Sequence, residues 1–227
     1  MVRYRIILYS INVDIIRKKV GIEMELDIAI KSRRSCRDFK EDSVSMEDVF
    51  KIIEAGIWAP NSGGSQPWKF KIVNEQQEIE RLYELITECR IINKMKTSPD
   101  LSEEEIRINF QEYIAGIRKA PIQIICFMDE QQIADKLFDG NLDDYKKDTV
   151  YGKTYKSSVD LAVENMMLKA TELGLGSLYF VTGVLNEEKI REFFELRETL
   201  IPVTMLPIGY ANSLGEGKER KIEEFLI

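Results

Sequence analysis

The chain has 227 residues, 32 basic and 39 acidic for a formal charge of −7, and it contains no histidine. The missing imidazole excludes Ser-His-Asp and Cys-His nucleophile pairs, histidine-ligated zinc or non-haem iron and His-based proton transfer. Chemistry is left to carboxylates, lysines, tyrosines, thiols, backbone groups or a bound cofactor. With 44% hydrophobic and 31% charged residues the chain can build a core, and its acidic balance argues against nucleic acid as the main partner.

Cys36, Cys89 and Cys126 are an odd count without CxxC spacing, so neither a disulfide framework nor a metal site is expected, and a reducing, cytoplasmic setting fits. Residues 1–13 carry two arginines and then an apolar run at 6–13. That run is interrupted by Ser10 and Asn12, Asp14 follows at once, and no small-residue cleavage site appears, so secretion and membrane insertion are not expected. Met24 opens an amphipathic stretch. Residues 1–23 are therefore set apart as an extension or a misassigned start, and 24–227 are read as one domain.

From Met24, the apolar positions Leu26, Ile28, Ala29 and Ile30 predict a short helix. Ser45 with Asp48 three residues on resembles a capping box, and Val49, Ile52, Ile53, Gly56 and Ile57 continue at helical spacing until Pro60. Residues 61–65 are loop chemistry, after which Trp68, Phe70 and Ile72 alternate with Lys69 and Lys71 as in a half-buried strand, with Trp68 in the core. A helix over 75–90 places Ile79, Leu82, Tyr83, Ile86 and Cys89 on one face, and 121–128 reads as a strand buried on both sides. Residues 138–156 hold Tyr145, Tyr151 and Tyr155 among many charges without a sustained period, so they are either a mobile lid or a plain surface loop. Ser157 or Ser158 caps a helix that Gly174 stops, 177–181 is a strand, Asn186 caps a helix to about Leu196, and 201–210 is the last strand. The order gives helices around one sheet, an α+β or α/β sandwich.

Residues 31–40 count five basic against one acidic residue in an acidic chain. If the stretch is extended, Arg33, Ser35 and Arg37 converge on one side while Arg34 faces elsewhere, which suits a phosphate dianion; the alternative is a solvated basic turn. Lys218 and Arg220 share one side of the chain by the same period, though such a pair alone is an ordinary basic tail. The glycines of Gly174-Leu175-Gly176-Ser177 follow a helix and precede a strand, the reverse of a dinucleotide-binding fingerprint, so they are a helix stop. Thr182-Gly183 at a strand end is either a close backbone approach to a flat ligand or a turn. Residues 61–66 form a small-residue loop that can lie against a planar ring.

Taken together, these segments resemble the nitroreductase family of FMN-dependent oxidoreductases, from about Met24 to the C-terminus. Arg33-Arg34-Ser35-Cys36-Arg37 with Phe39 is similar to its R-R-S-x-R-x-F motif, and residues 59–68 to its A-P-x5-Q-P-W loop. Gly174 to Gly183 is similar to its helix, G-x-G-S, strand, glycine segment, and Lys218-x-Arg220 to its C-terminal phosphate pair. The resemblance implies an α+β fold with a mainly antiparallel sheet flanked by helices, in a homodimer with FMN sites at the interface. Arg33, Ser35 and Arg37 with Lys218 and Arg220 would hold the phosphate and ribityl chain, with one of these arginines free to face the ring. Pro60, Asn61, Ser62 and Gly64 would reach the flavin of the other subunit, and Thr182 and Gly183 would supply backbone contacts near flavin N5 and O4. Arg34 or Lys96 would stand near N1 and O2, and Asn93-x-x-Lys96 resembles an isoalloxazine-edge pair of some members. Gly64 stands where many members carry asparagine. The activity implied is a ping-pong cycle in which NADH or NADPH gives hydride to flavin N5 and a nitroaromatic, quinone or flavin accepts it. A dehalogenase, a flavin-cleaving enzyme or a non-catalytic FMN-binding protein are the alternatives.

Overall fold

A computed structural model of the chain describes residues 24–148, 152–218 and 220–227. Its sheet comprises β1 (Trp68–Val73), β2 (Ile122–Asp129), β3 (Gly176–Ser177) and β4 (Leu200–Gly209), in the order β1-β2-β4-β3 with every neighbouring pair antiparallel. All eight residues of β2 are buried, and the alternation of a strand sorts them: Ile124, Cys126 and Met128 point to one core, Ile125 and Phe127 to the other. A bulge between Cys126 and Phe127 shifts the register against β4.

Helices cover both faces. They are α1 (Leu26–Ser32), α2 (Met46–Ile57), α3 (Gln76–Thr97), α4 (Glu103–Ile114), α5 (Glu130–Leu137), α6 (Leu142–Lys147), α7 (Gly152–Glu172) and α8 (Glu187–Phe193). Val49 and Ile52 of α2 and Val159, Ala162, Val163 and Met166 of α7 fill the first core. Ile79, Leu82, Tyr83 and Ile86 of α3, Phe110 and Ile114 of α4, and Ile190 of α8 fill the second. The result is the α+β sandwich expected from the order of elements. Among the described residues no helix is long and apolar enough to cross a membrane, and no group of three or more Cys, Asp or Glu is placed to hold a metal ion.

The structure departs from the sequence expectations at identifiable places. Ser45 accepts from the Asp48 N–H at 3.1 Å, but the Asp48 carboxylate accepts from the Ser45 hydroxyl instead of reaching back to the backbone. A complete capping box occurs at Ser102 and Glu105, whose extra methylene spans the gap to the Ser102 N–H at 2.9 Å. The helix expected to end near Arg90 runs on to Thr97, and the acidic segment after it folds as α4. Residues 138–148 carry the short helix α6, anchored by Tyr145, which is buried against Tyr155 of α7 with ring centroids 5.8 Å apart, while most of the segment's other residues are exposed. Tyr151 and the segment 1–23 lie outside the described residues. Ser158 is no cap, because α7 begins at Gly152. Gly174 does stop α7, at φ +79°, with Leu175 N–H closing back to Ala170 C=O at 2.8 Å. The strand expected over 177–181 is a two-residue ladder plus a bridge from Phe180 to Met205. Leu178 N–H donates to Pro207 C=O, but Pro207 has no N–H to return, and the ladder breaks there.

Candidate functional site

The arginine-rich stretch begins where α1 stops. Arg33 turns out of the helix at ψ 129°, and the chain then runs extended: Ser35 bridges Ser177 in parallel, and Cys36 N–H donates to Ser177 C=O at 2.9 Å. This rail sets the alternation. Cys36 and Phe39 are buried, whereas Ser35 and Arg37 stay exposed. Burial pushes the Cys36 thiol up, so it is uncharged at neutral pH and serves as packing.

The far end of the chain closes over the same place. Lys40 N–H donates to Tyr210 C=O at 2.8 Å, Phe39 pairs with Ala211, and Asn212 binds Asp38 and Phe39. A cleft of about 810 Å³ results, lined by Lys31, Arg33, Arg34, Ser35, Arg37, Lys218 and Arg220 together with Glu216, Glu224 and Phe225. Arg34 belongs to it, contrary to the period-two expectation. Its guanidinium folds back to donate to Lys31 C=O and Arg33 C=O, each at 2.7 Å, capping α1, and it lies so close to Gly217 that a Cβ there would collide with it. Arg33 is steered from the other side by Glu164 of α7, 3.5 Å from its Nε.

The loop at 60–66 is a separate construction. Ser62–Gly64 form one turn of 3-10 helix, Asn61 Oδ1 accepts from Gln66 N–H at 2.9 Å, and Ser65 Oγ donates to Ser62 C=O at 2.8 Å. Ser62 N–H donates to Ser158 Oγ of α7 at 3.1 Å. Pro60, Asn61, Ser62 and Gly64 line no part of the arginine cleft. Ser158 and Glu164, the α7 contacts of the two regions, are six residues apart, or about 9 Å along the helix. Gly64 sits at φ +68° with open space where a Cβ would project, a conformation asparagine also adopts.

Thr182 and Gly183 lie in the 3-10 turn Val181–Val184 after the Phe180 bridge. Gly183 is buried, its N–H donates to Phe180 C=O at 3.1 Å, and a Cβ would collide with Met205. Thr182 instead lines a second concavity, of about 420 Å³, with Arg90 and Lys94 of α3 and residues of α4. Asn93 and Lys96 are exposed and are not among its lining residues. Arg90 and Lys94 were missed by the sequence reading, although their spacing of four places them on one helical face.

The nitroreductase family pattern matches residues 30–210, most of the chain. The protein belongs to the nitroreductase family. The chain is 26% identical over 192 residues to a provisionally named NADH dehydrogenase/NAD(P)H nitroreductase of Methanothermobacter thermautotrophicus, covering 83% of this chain and 78% of that one. Among solved structures it resembles a BluB-like flavoprotein from Clostridium difficile, with a TM-score of 0.70 and 24% identity over 90% of this chain and 98% of the other. It also resembles a nitroreductase with bound FMN from Bacteroides fragilis, with a TM-score of 0.66 and 21% identity over 90% and 98% of the two chains. These structural likenesses place the sheet and its flanking helices in the nitroreductase fold.

Proposed function

We propose that the cleft between residues 33–37 and the C-terminal tail holds the phosphate of FMN, and that the protein is an NAD(P)H-dependent FMN oxidoreductase. The observation that carries this reading is the meeting of Lys31, Arg33, Arg34, Arg37, Lys218 and Arg220 with, among the described residues, only Glu216 and Glu224 as lining carboxylates, in a chain of net charge −7. The donor set suits the group. Guanidinium forks, two ammonium groups and the Ser35 hydroxyl match phosphate oxygens, and the rail at Ser177 fixes where Ser35 stands.

When bound, FMN supplies two-electron exchange between a nicotinamide donor and an electrophilic acceptor such as a nitroaromatic, a quinone or a flavin. The residues of the chain bind and orient. Thr182, on the wall of the second concavity, presents the ring-edge contact, while the buried Gly183 lets the turn seat on Met205. The loop with Pro60, Asn61, Ser62 and Gly64 serves the site of a second copy in a homodimer. That second copy would cover the exposed apolar side chains Leu26, Ile28 and Ile30 of α1 and Phe50, Ile57 and Trp58 at α2, Trp58 being 79% exposed.

Visible absorbance of the purified protein, followed by anaerobic addition of NADH and then NADPH, tests the reading. A flavin spectrum that bleaches supports it; a colourless protein that also fails to bind added FMN overturns it. Sedimentation at micromolar concentration is expected to find a dimer, and a monomer with full flavin occupancy would contradict the shared site.

A further inference from the structure

The concavity beside Thr182 is built by two elements that the sequence left unassigned, the last turns of α3 and the whole of α4, tied together by Arg107 to Glu88 at 2.8 Å. Its floor is aromatic. The Phe110 and Tyr113 rings lie 6.2 Å apart, Tyr113 and Phe180 6.3 Å apart, and the Arg90 guanidinium stands 5.9 Å from the centre of Phe110. Its rim is cationic: Arg90 and Lys94 line it, no carboxylate does, and neither cation makes an ion pair among the described residues. The contrast with Arg107 is direct, since that side chain points away and is held by both Glu88 and Glu103. An acidic chain has spent its carboxylates outside this concavity and left two cations lining it, Arg90 over the Phe110 ring and Lys94 one turn further along α3.

We infer that the concavity is the acceptor site and that it selects an aromatic carboxylate. The ring packs on Tyr113 and Phe110, and the carboxylate is held by Arg90 and Lys94 with Asn109 beside them. The inference rests on the proposed oxidoreductase reading, in which Thr182 marks the ring edge where an acceptor is reduced. A neutral nitroaromatic satisfies the floor but leaves both cations without a partner, so charge on the ligand decides affinity.

Calorimetric titration of the purified protein with 4-nitrobenzoate and with 4-nitrobenzyl alcohol, without any reductant, tests the site apart from turnover. The carboxylate is expected to bind about tenfold more tightly than the alcohol. Arg90→Gln and Lys94→Gln are each expected to weaken the carboxylate about tenfold and to leave the alcohol within about twofold, at unchanged melting temperature. Lys136→Gln, exposed on α5 and outside the concavity, is expected to alter neither affinity. Equal affinities for the two ligands, or binding of neither, overturn the inference. Carboxylate binding in a protein whose flavin neither nicotinamide reduces supports this site and overturns the oxidoreductase reading instead.

Discussion

The arginine cleft and the 60–66 loop are both expected to touch a cofactor, yet they are made in opposite ways. The cleft is assembled from residues 30–37 and 215–225, and its cations are mostly exposed, their partners among the described residues being Asp27 for Lys31, Glu164 for Arg33 and two backbone carbonyls for Arg34. The loop is assembled from its own neighbours, with Gln66 N–H taken up by Asn61, Ser62 C=O by Ser65, Ser62 N–H by Ser158 and Ser65 C=O by Gln132. One region leaves hydrogen-bonding capacity open, whereas the other spends it on its own shape. Substitutions in the cleft should therefore change binding without changing stability, and substitutions of the loop's internal bonds should change stability first, with any effect on the second copy's flavin following from the altered loop.

The largest expected effect falls in the cleft. Arg37→Ala should weaken FMN binding by about one to two orders of magnitude, since a charge-assisted phosphate contact contributes roughly 1.5–3 kcal/mol, and should leave the melting temperature unchanged. Flavin titration beside thermal unfolding measures both, and an unchanged affinity removes Arg37 from the site. Next comes Gly63→Ala in the loop. At φ +60°, and with Leu137 within 2.8 Å of the new Cβ, it should cost about 1–2 kcal/mol of stability by urea unfolding. Ser158→Ala deprives the Ser62 N–H of its acceptor and should cost about 1 kcal/mol by the same measurement. The smallest effect is expected of Gly64→Asn, within about 0.5 kcal/mol, because the backbone there suits asparagine and nothing obstructs a side chain. A large loss at Gly64 would mean that the loop is constrained by more than its own bonds.

What the sequence makes legible follows from how local each signal is. The strands at 68–73 and 122–129, the N-caps at Ser45 and Asn186 and the stop at Gly174 depend on neighbours in the chain, and they stand where period and turn chemistry put them. The start of α7 was written in the same language but obscured by charge. Tyr155, Val159, Ala162 and Met166 are spaced by four, three and four and are all buried, a stripe that extends the helix upstream of the serines. In α4, Ile106, Phe110 and Ile114 repeat every four residues behind the Ser102 box, among the acids of 100–112. The placement of Arg34 was not legible, because its direction depends on Gly217, 183 positions away, and on the free carbonyls at the end of α1. Nor could spacing alone separate Arg90 and Lys94 from Asn93 and Lys96, since only packing against α4 decides which side of α3 looks into a concavity.

Asn212 fastens the C-terminal tail to residues 38 and 39, and past it the described residues 213–218 and 220–227 are all exposed. A strip of described residues this exposed is expected to open locally while the rest of the protein stays folded, so that a protease meets it at a rate set by local opening rather than by global unfolding. Lys218, Arg220 and Lys221 are tryptic sites within that strip. A ligand gripped between them and Arg33 or Arg37 has to leave before the strip can lift, and the cutting rate then falls by the factor 1 + [L]/Kd. The tail thus becomes a clock for occupancy of the cleft, and the lifetime of the intact C-terminus under trypsin reads how long the cleft stays filled.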